Sequence, residues 1–378
     1  MDIQDLLPTE ILNYIMSYLD YTSILSMYAL SSKSFTINLS LLLRQYLYKI
    51  TKYNTSNYNI KGLINLCHIL IKNSWVNAGT NYSLILSNNN HVYKLENNNK
   101  ILLIKNISQI SMGYNYALLL TCEGIIYKFK YKKSLSNLII IHNINHVIQV
   151  SAGFNHSLAL TNNGQVYSFG QNNYGELGFP GDNNRHAPTL LHDLKNIVQI
   201  SAGYHHSLLL TDNGQVYVCG NNKYGQLGLG YNNNCQVPVL NNHINNIIQV
   251  SAGFNHTLLL RYDGCVYTCG NNMYGQLADG TNSNFSNMPL LIPNIYNIKQ
   301  ISNGYHHSLL LTKNGQVYAL GYNKHGQLGL NDKIDRNIPT LINTISCKIE
   351  EISSGSSHSL ILTNNGKIIN LPTIYYDI

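Results

Sequence analysis

One phrase returns along the chain and constrains its fold more than any other feature. With small variations it reads Gln-Val-Ser-Ala-Gly, two residues, His, Ser or Thr, an apolar run, and then Asn-Gly-Gln-Val-Tyr. Its full copies begin at Gln149, Gln199, Gln249 and Gln300, a partial copy begins at Glu351, and two weaker copies lie upstream. The anchoring glycines are residues 79, 113, 153, 203, 253, 304 and 355, at spacings of 34, 40, 50, 50, 51 and 51. Seven such units indicate a repeat protein.

Each unit reads as four short strands. In the fifth unit these are Ile248–Val250, Thr257–Leu260, Cys265–Tyr267 after a turn, and Met288–Leu291. Four strands repeated seven times predict an all-β seven-bladed β-propeller, because a closed ring removes the exposed edges of an open array. The chain ends soon after the third strand of the last unit, so we predict that the segment at Trp75–Asn77 completes that blade.

The recurring polar residues have structural explanations. His156, His206, His256, His307 and His358 occupy one repeat position, and Tyr82 and Tyr116 replace them in the first two units. Because each would lie in a different blade, we interpret them as buried structural groups with backbone hydrogen bonds rather than as metal ligands.

The Tyr-Gly-Gln-Leu-Gly phrase lacks the Gly-Lys-Ser/Thr sequence of a phosphate loop. Cys265 and Cys269 are interpreted as packing residues, because Cys219 occupies the same repeat position as Cys269. No nucleophile elbow, zinc-protease motif or positioned catalytic acid is present. We therefore predict a protein that is not an enzyme and that has no cofactor and no metal site.

The phrase Ser-Ala-Gly-x-x-His-Ser/Thr, followed by Gly-x-Val-Tyr-x-x-Gly and Tyr-Gly-Gln-Leu-Gly, resembles the repeat of the regulator-of-chromosome-condensation family. The resemblance covers residues 73–378 and implies a seven-bladed propeller. The first two units depart from the pattern, since they are short and lack the Tyr-Gly-Gln-Leu-Gly loop.

Residues 1–50 show helical spacing instead of strand alternation. Their pattern resembles an F-box, with a Leu-Pro start, paired aliphatic residues, a Leu-Asp break and a closing stretch through Leu30, Lys33 and Phe35. F-box families dock onto a Skp-type adaptor on a cullin, so the resemblance implies an adaptor-binding surface. Its residues are Leu7, Pro8, Ile11, Leu12, Ile15, Leu19, Ile24 and Leu25. A helical cap packed on the propeller is the alternative. Residues 51–72 read as a polar linker followed by a connecting helix.

The positive charge is confined to one part of the chain. Residues 51–145 carry 10 basic and 2 acidic groups, whereas residues 146–378 carry 11 of each. The run Lys128, Lys130, Lys132 and Lys133 is a candidate basic patch for an acidic partner, and its alternative is a solvated strand whose lysines discourage edge pairing. Arginine is scarce, so nucleic acid is an improbable partner.

These features predict a substrate-recognition adaptor of a Skp–cullin–F-box ubiquitin ligase, whose propeller binds the target protein. Candidate rim residues come from loops that differ between blades: Arg185, His186, Tyr231, Phe285, Lys333 and Arg336. The alternatives are a nucleotide-exchange factor or chromatin-associated regulator of a small Ran-like GTPase, and a non-catalytic scaffold. Seven scattered cysteines and the absence of a basic signal region or of an 18-residue apolar run predict an intracellular protein, cytoplasmic or nuclear, that does not bind membranes.

Overall fold

The computed structural model describes residues 76–78, 83–87, 89–96, 99–130, 138–281, 283–372 and 374–377. These residues form seven antiparallel sheets of four strands each, in which neighbours in sequence are neighbours in the sheet. Strands β1 to β14 are Val76–Ala78, Ser83–Leu86, Val92–Glu96, Asn99–Ile104, Ile107–Met112, Tyr116–Thr121, Ile126–Lys130, Leu138–Ile141, Val147–Ala152, His156–Thr161, Val166–Gly170, Arg185–Leu190, Ile197–Ala202 and His206–Thr211. Strands β15 to β28 are Val216–Gly220, Cys235–Leu240, Ile247–Ala252, His256–Arg261, Val266–Asn271, Phe285–Leu291, Ile298–Asn303, His307–Thr312, Val317–Gly321, Arg336–Leu341, Ile349–Ser354, Ser359–Thr363, Lys367–Leu371 and Ile374–Asp377.

The first strands of the seven sheets contact one another around a common axis, and β1 contacts β25, so the sheets close into a ring. The predicted seven-bladed propeller is therefore confirmed. The prediction that Trp75–Asn77 completes the last blade is wrong. That blade is β25 to β28, all from the last repeat, because Ile374–Asp377 pairs with β27, and Val76–Ala78 instead opens the first blade.

The second strand of each blade is the most deeply buried. In β14, every residue from His206 to Thr211 is buried. A strand covered on both faces by neighbouring blades takes apolar residues continuously and not in alternation, which explains the Leu-Leu-Leu run at residues 208–210. The hydrophobic core therefore lies between blades.

The Gln and Ser of the repeated phrase join each inner strand to the next. Gln149 accepts a hydrogen bond from Ile200 N at 2.9 Å through Oε1 and donates to Ile200 O at 3.2 Å through Nε2. Ser151 Oγ accepts from Ala202 N at 2.9 Å. Gln199, Gln249 and Gln300 make the same paired bonds to Val250, Ile301 and Ile352. Polar residues of the phrase thus satisfy backbone groups where blades meet.

The repeated histidines join blades further from the axis. His206 Nε2 lies 3.1 Å from Thr257 Oγ1 in the next blade, and that hydroxyl donates to Gln226 O at 2.7 Å. Because the hydroxyl hydrogen is used on the carbonyl, the imidazole must be the donor and carries its proton on Nε2. The predicted burial is confirmed for His156, His206, His256 and His307, whereas His358 is only partly buried. The partner of the His206 ring is a side-chain hydroxyl instead of a backbone group.

Tyr116 takes the histidine's place in the second blade. Its hydroxyl donates to His156 O at 2.5 Å and lies 2.9 Å from Ser157 Oγ, so it reaches the same hydroxyl position of the following blade. Tyr82, the corresponding residue of the first unit, lies outside the described residues.

The close approach of blades at the axis explains the anchoring glycine. A Cβ on Gly203 would lie 2.4 Å from His206 Cε1 and 2.6 Å from Gly253 O, so any larger residue would displace a backbone carbonyl of the next blade.

Candidate protein-binding face

Two sets of loops emerge at the same end of the ring. Successive antiparallel strands alternate in direction, so the loops between first and second strands and those between third and fourth strands share one face. We call it the loop face. Its centre is formed by residues 113–115, 153–155, 203–205, 253–255, 304–306 and 355–358, and its periphery by residues 171–184, 221–234, 272–284 and 322–335.

Five aromatic side chains follow one another around the centre of the loop face. They are Tyr114, Phe154, Tyr204, Phe254 and Tyr305, here called the aromatic arc. Successive ring centroids are 4.3, 4.1, 3.7 and 5.0 Å apart, so the rings form one continuous surface across five blades. In the seventh blade this position is Ser356, and the arc ends there.

Backbone hydrogen bonds hold the arc in place. Tyr204 N donates to Gly253 O at 3.1 Å and Tyr305 N donates to Gly355 O at 3.2 Å, in each case to the anchoring glycine of the next blade, whereas Phe254 N donates to Tyr305 O at 3.3 Å. A cavity of about 90 Å³ lies at the axis among these glycines and the arc, which is space for a few water molecules. The rings therefore rest on a rigid base.

The pKa values of two tyrosine hydroxyls of the arc, Tyr204 and Tyr305, are raised, so both remain protonated. Burial raises the pKa of Tyr305 far above its usual value, and the nearby Tyr114 and Tyr204 raise it further. The pKa of Tyr204 is raised by burial and by its tyrosine neighbours in the same way. Among the described residues, the buried Tyr305 hydroxyl has no hydrogen-bond partner.

A second tier of side chains surrounds the arc on one side. The His205 ring lies 4.2 Å from Tyr204 and 4.8 Å from Tyr174, and its Nδ1 is 3.4 Å from Glu176 Oε1. Glu176 is fully buried, and its Oε2 accepts from Tyr174 N at 2.7 Å. The matching loop positions in the next three blades are Gln226, Gln276 and Gln327, so this acid–histidine pair distinguishes the junction of the third and fourth blades.

In the sixth blade, His306 occupies the repeat position that His205 occupies in the fourth blade. Its ring lies 5.0 Å from Phe254 and 5.1 Å from Tyr274, and burial lowers its pKa to about 4. It is therefore neutral at pH 7 and extends the aromatic surface outward.

Three predicted rim residues are engaged within the molecule. The Arg185 guanidinium lies 3.9 Å above the Phe179 ring, and Arg336 forms an ion pair with Asp332 and donates to Ile334 O. The Tyr231 hydroxyl lies 3.6 Å from Cys235 Sγ. These contacts order the peripheral loops.

The other three rim residues, His186, Phe285 and Lys333, are exposed at the periphery of the loop face. The loops that carry the rim residues also tie blades together, since Gly230 N donates to Asn287 O at 2.8 Å and Gly280 N to Asn337 O at 2.9 Å. The six residues are thus spread around the rim and not gathered in one site.

The predicted basic patch is only partly described. Lys128 lies on β7 with its Nζ 4.2 Å from the centroid of the Tyr116 ring, and burial, followed by the nearby Lys130, lowers its pKa. Lys130 is exposed, while Lys132 and Lys133 lie outside the described residues. Lys128 is therefore packed against its own blade.

The predicted adaptor-binding residues, from Leu7 to Leu25, and the linker at 51–72 also lie outside the described residues. In the part of the chain that the structure describes, no three His, Cys, Asp or Glu side chains are grouped so that they could hold a metal ion. The described ranges likewise contain no helix of sufficient length and hydropathy to cross a membrane.

Sequence reasoning missed the aromatic arc. Its signal was present, because an aromatic residue directly follows the anchoring glycine in five consecutive units. The two residues between Gly and His differ from unit to unit, so the repeat does not single them out. The aromatic side chains at the first of these positions come together only when the ring closes.

The family model described as the regulator of chromosome condensation (RCC1) repeat matches residues 163–210, 213–260, 263–311 and 314–362, and a second model of the same repeat matches 147–176, 197–226, 247–276 and 298–327. Together these matches run from residue 147 to residue 362, which is more than half of the chain. The chain belongs to the RCC1 repeat family.

Among RCC1-repeat proteins, the chain is similar to the human probable E3 ubiquitin-protein ligase HERC4, at 43% identity over 70 residues, which are 18% of this chain and 7% of that protein. It is similar to the human X-linked retinitis pigmentosa GTPase regulator, at 41% identity over 73 residues, 19% of this chain and 7% of that one. Each match spans less than a tenth of the relative's length. The fold resembles that of Prp20p from Saccharomyces cerevisiae, with a TM-score of 0.66 at 18% identity, covering 77% of this chain and 83% of that chain.

Proposed function

We propose that this chain is a non-catalytic protein-binding module that docks a partner on the loop face, with the aromatic arc at the centre of the interface. The continuous run of five aromatic rings carries this proposal. Tyrosine and phenylalanine are enriched at the centres of protein interfaces, where large side chains on a rigid base lose little conformational entropy on binding. The exposed His186 and Lys333 would form part of the polar rim, and the exposed Phe285 would add an apolar contact there.

We infer that the partner is a small GTPase and that the chain regulates its nucleotide state. Support comes from the RCC1-repeat relatives, one of which is named a GTPase regulator, and from the resemblance to Prp20p, whose structure was described together with its binding to Gsp1p and histones. The aromatic arc would supply the apolar anchor of the complex.

Release of fluorescent GDP from a Ran-type GTPase tests this function. The chain should accelerate release, and the double substitution Tyr204→Ala with Phe254→Ala should reduce the acceleration at least about tenfold, a loss typical of interface anchors. Tyr296→Ala is the matched control, because Tyr296 is 65% exposed on the connection between β20 and β21 at the opposite face. A GTPase that neither binds nor releases GDP faster would contradict the assignment.

A second candidate function rests on residues 7–35, which resemble an F-box. In that case a Skp-type adaptor and a cullin would bind the N-terminal segment, and the loop face would present a protein substrate for ubiquitin transfer. The similarity to HERC4, a probable ubiquitin-protein ligase, supports a place in this pathway.

Co-purification with a Skp-type adaptor separates the two functions. Wild-type chain should retain the adaptor, and Leu7→Asp combined with Pro8→Ala should abolish retention, whereas Tyr204→Ala with Phe254→Ala should leave it unchanged. Failure of wild type to retain the adaptor would remove this candidate. If the GTPase assay also fails, the chain is a scaffold whose loop face binds another protein.

A further inference from the structure

The outer edges of the blades differ in how they are protected against pairing with another strand. In the third to sixth blades the outermost strand contains a proline: Pro188, Pro238, Pro289 or Pro339. Proline has no backbone N–H to offer and blocks strand addition at an edge. The outermost strands of the first and seventh blades contain a charged residue, Lys100 or Asp377.

The second blade has an edge of a different kind. Its outermost strand, β8, reads Leu-Ile-Ile-Ile and is the only one of the seven described outer strands with neither proline nor charge. Ile139 is 47% exposed and Ile140 is 42% exposed. The register pairs Ile139 with Lys128 and Ile140 with Tyr127, so the two isoleucines lie on opposite faces of the sheet. Within the described part of the chain, no strand pairs with the outer side of β8, and its exposed side chains are apolar on both faces of the sheet.

The irregularity of the first blade explains why no loop of that blade covers β8. In the regular blades, the loop between third and fourth strands packs on the outermost strand of the next blade. A Cβ on Gly175 would lie 2.3 Å from Gln236 Cα, and Gly225 approaches Asn287 equally closely. In the first blade, β3 ends at Glu96 and β4 begins at Asn99, so that blade has no such loop to place on β8.

We propose that β8 is the docking edge for an extended segment of a partner protein, which adds to the second blade as a fifth strand. Backbone hydrogen bonds along the edge would provide affinity, and alternate side chains of the segment would contact Ile139 and Ile140. This surface is separate from the loop face and adds to the proposed function.

The positive charges beside β8 indicate which side chains the bound segment should carry. Lys128 and Lys130 lie on the same face of the sheet as Ile139, and Lys130 is exposed. The segment should therefore alternate apolar with acidic residues. A second copy of this chain is disfavoured, because pairing β8 with β8 would bring like charges together across the new interface.

The probe is a short fluorescein-labelled peptide in which Val and Ile alternate with Glu, added to the full chain. Ile139→Thr with Ile140→Thr should weaken binding at least about tenfold, since threonine keeps the strand and removes the apolar contact. Val237→Thr is the matched control, because Val237 is 44% exposed on a proline-protected outer strand and should not change binding. Lys130→Glu should also weaken binding, and the same peptide with Lys in place of Glu should not bind.

Hydrogen exchange separates the alternative occupants. The β8 amides that point away from β7 should exchange rapidly in the free chain and slowly with the peptide. Three results would overturn the proposal: no peptide binding, protection of these outward amides in the monomeric chain because one of its own segments covers them, or protection that grows with protein concentration because two copies pair. Circular dichroism of each variant verifies the fold.

Discussion

Four of the repeated histidines, His156, His206, His256 and His307, are neutral side chains buried between blades. Burial lowers the pKa of His206 and His256 from the ordinary 6.5 to about 3, and the Nδ1 of each lacks a hydrogen-bond partner among the described residues. Each ring thus contributes one hydrogen bond through Nε2 and cannot accept a second proton without placing a charge in the core.

The hydroxyl partner is therefore as important as the imidazole. Thr257→Val keeps the shape but leaves His206 Nε2–H without an acceptor and leaves Gln226 O with only the weak Cys269 Sγ donor at 3.6 Å. We expect a loss of about 2 kcal/mol in the free energy of unfolding, measured by urea titration. Thr340→Val on an exposed outer strand is the control and should change stability by less than about 0.5 kcal/mol. Equal losses of stability for the two substitutions would contradict the role of the Thr257 hydroxyl as the hydrogen-bond partner of His206.

Stability should depend on pH through the same residues. An unfolded histidine takes up a proton near pH 6.5, whereas folded His206 does so only near pH 3, so the unfolded state binds more protons between these values. The stabilisation is complete above pH 6.5 and declines as the pH falls, by about 2 kcal/mol per histidine at pH 5. Urea midpoints measured from pH 7 to pH 5 test this, and a flat profile would refute it.

A single substitution can measure how much one of these histidines contributes to the proton uptake on unfolding. His206→Tyr should fold, because Tyr116 already fills this position in the second blade, and should reduce the proton uptake on unfolding at pH 5 by about one. His142→Tyr, on the exposed surface, is the control for the added phenol ring. Proton uptake is measured by calorimetry in buffers of different ionisation enthalpy.

At the scale of elements, each inner strand is bonded to the next by side chains and not by a sheet ladder. Gln149→Leu removes both bonds to Ile200 and leaves a buried N–H and C=O unpaired. We expect a loss of about 3 kcal/mol by urea titration. Gln165→Leu, in the exposed turn of the same blade, is the control and should cost less than about 0.5 kcal/mol. If Gln149→Leu were neutral, van der Waals packing would be sufficient to hold the blades together.

The strands themselves could be predicted closely. The four expected strands of the fifth unit correspond to β17, β18, β19 and β20, each longer than expected by two or three residues. The difference arises because the ends of these strands, such as Ala252 in β17 and Asn271 in β19, lack the apolar pattern and are held by their pairing partners.

At the scale of the whole molecule, closure depends on contacts between β1 and the last blade without any exchange of strands. The 28 strands of the described ranges all lie after residue 75. A chain that begins at residue 73 should therefore keep the β-sheet circular dichroism and the single unfolding transition of the full chain. Loss of the transition would show that the preceding residues complete the ring, and the β8 peptide assay would then report whether they also cover that edge.

The amino-acid sequence by itself determined the number of units, the four strands in each and the closed ring, because a period of about 50 residues repeats the same apolar faces and each face needs a neighbour to bury it. Tertiary structure alone decided which residues meet across blades. Gln149 and Ile200 are 51 residues apart, and nothing local specifies that contact, the aromatic arc or the open edge at β8. Periodicity describes what each unit contains, whereas packing around the axis decides which side chains come together.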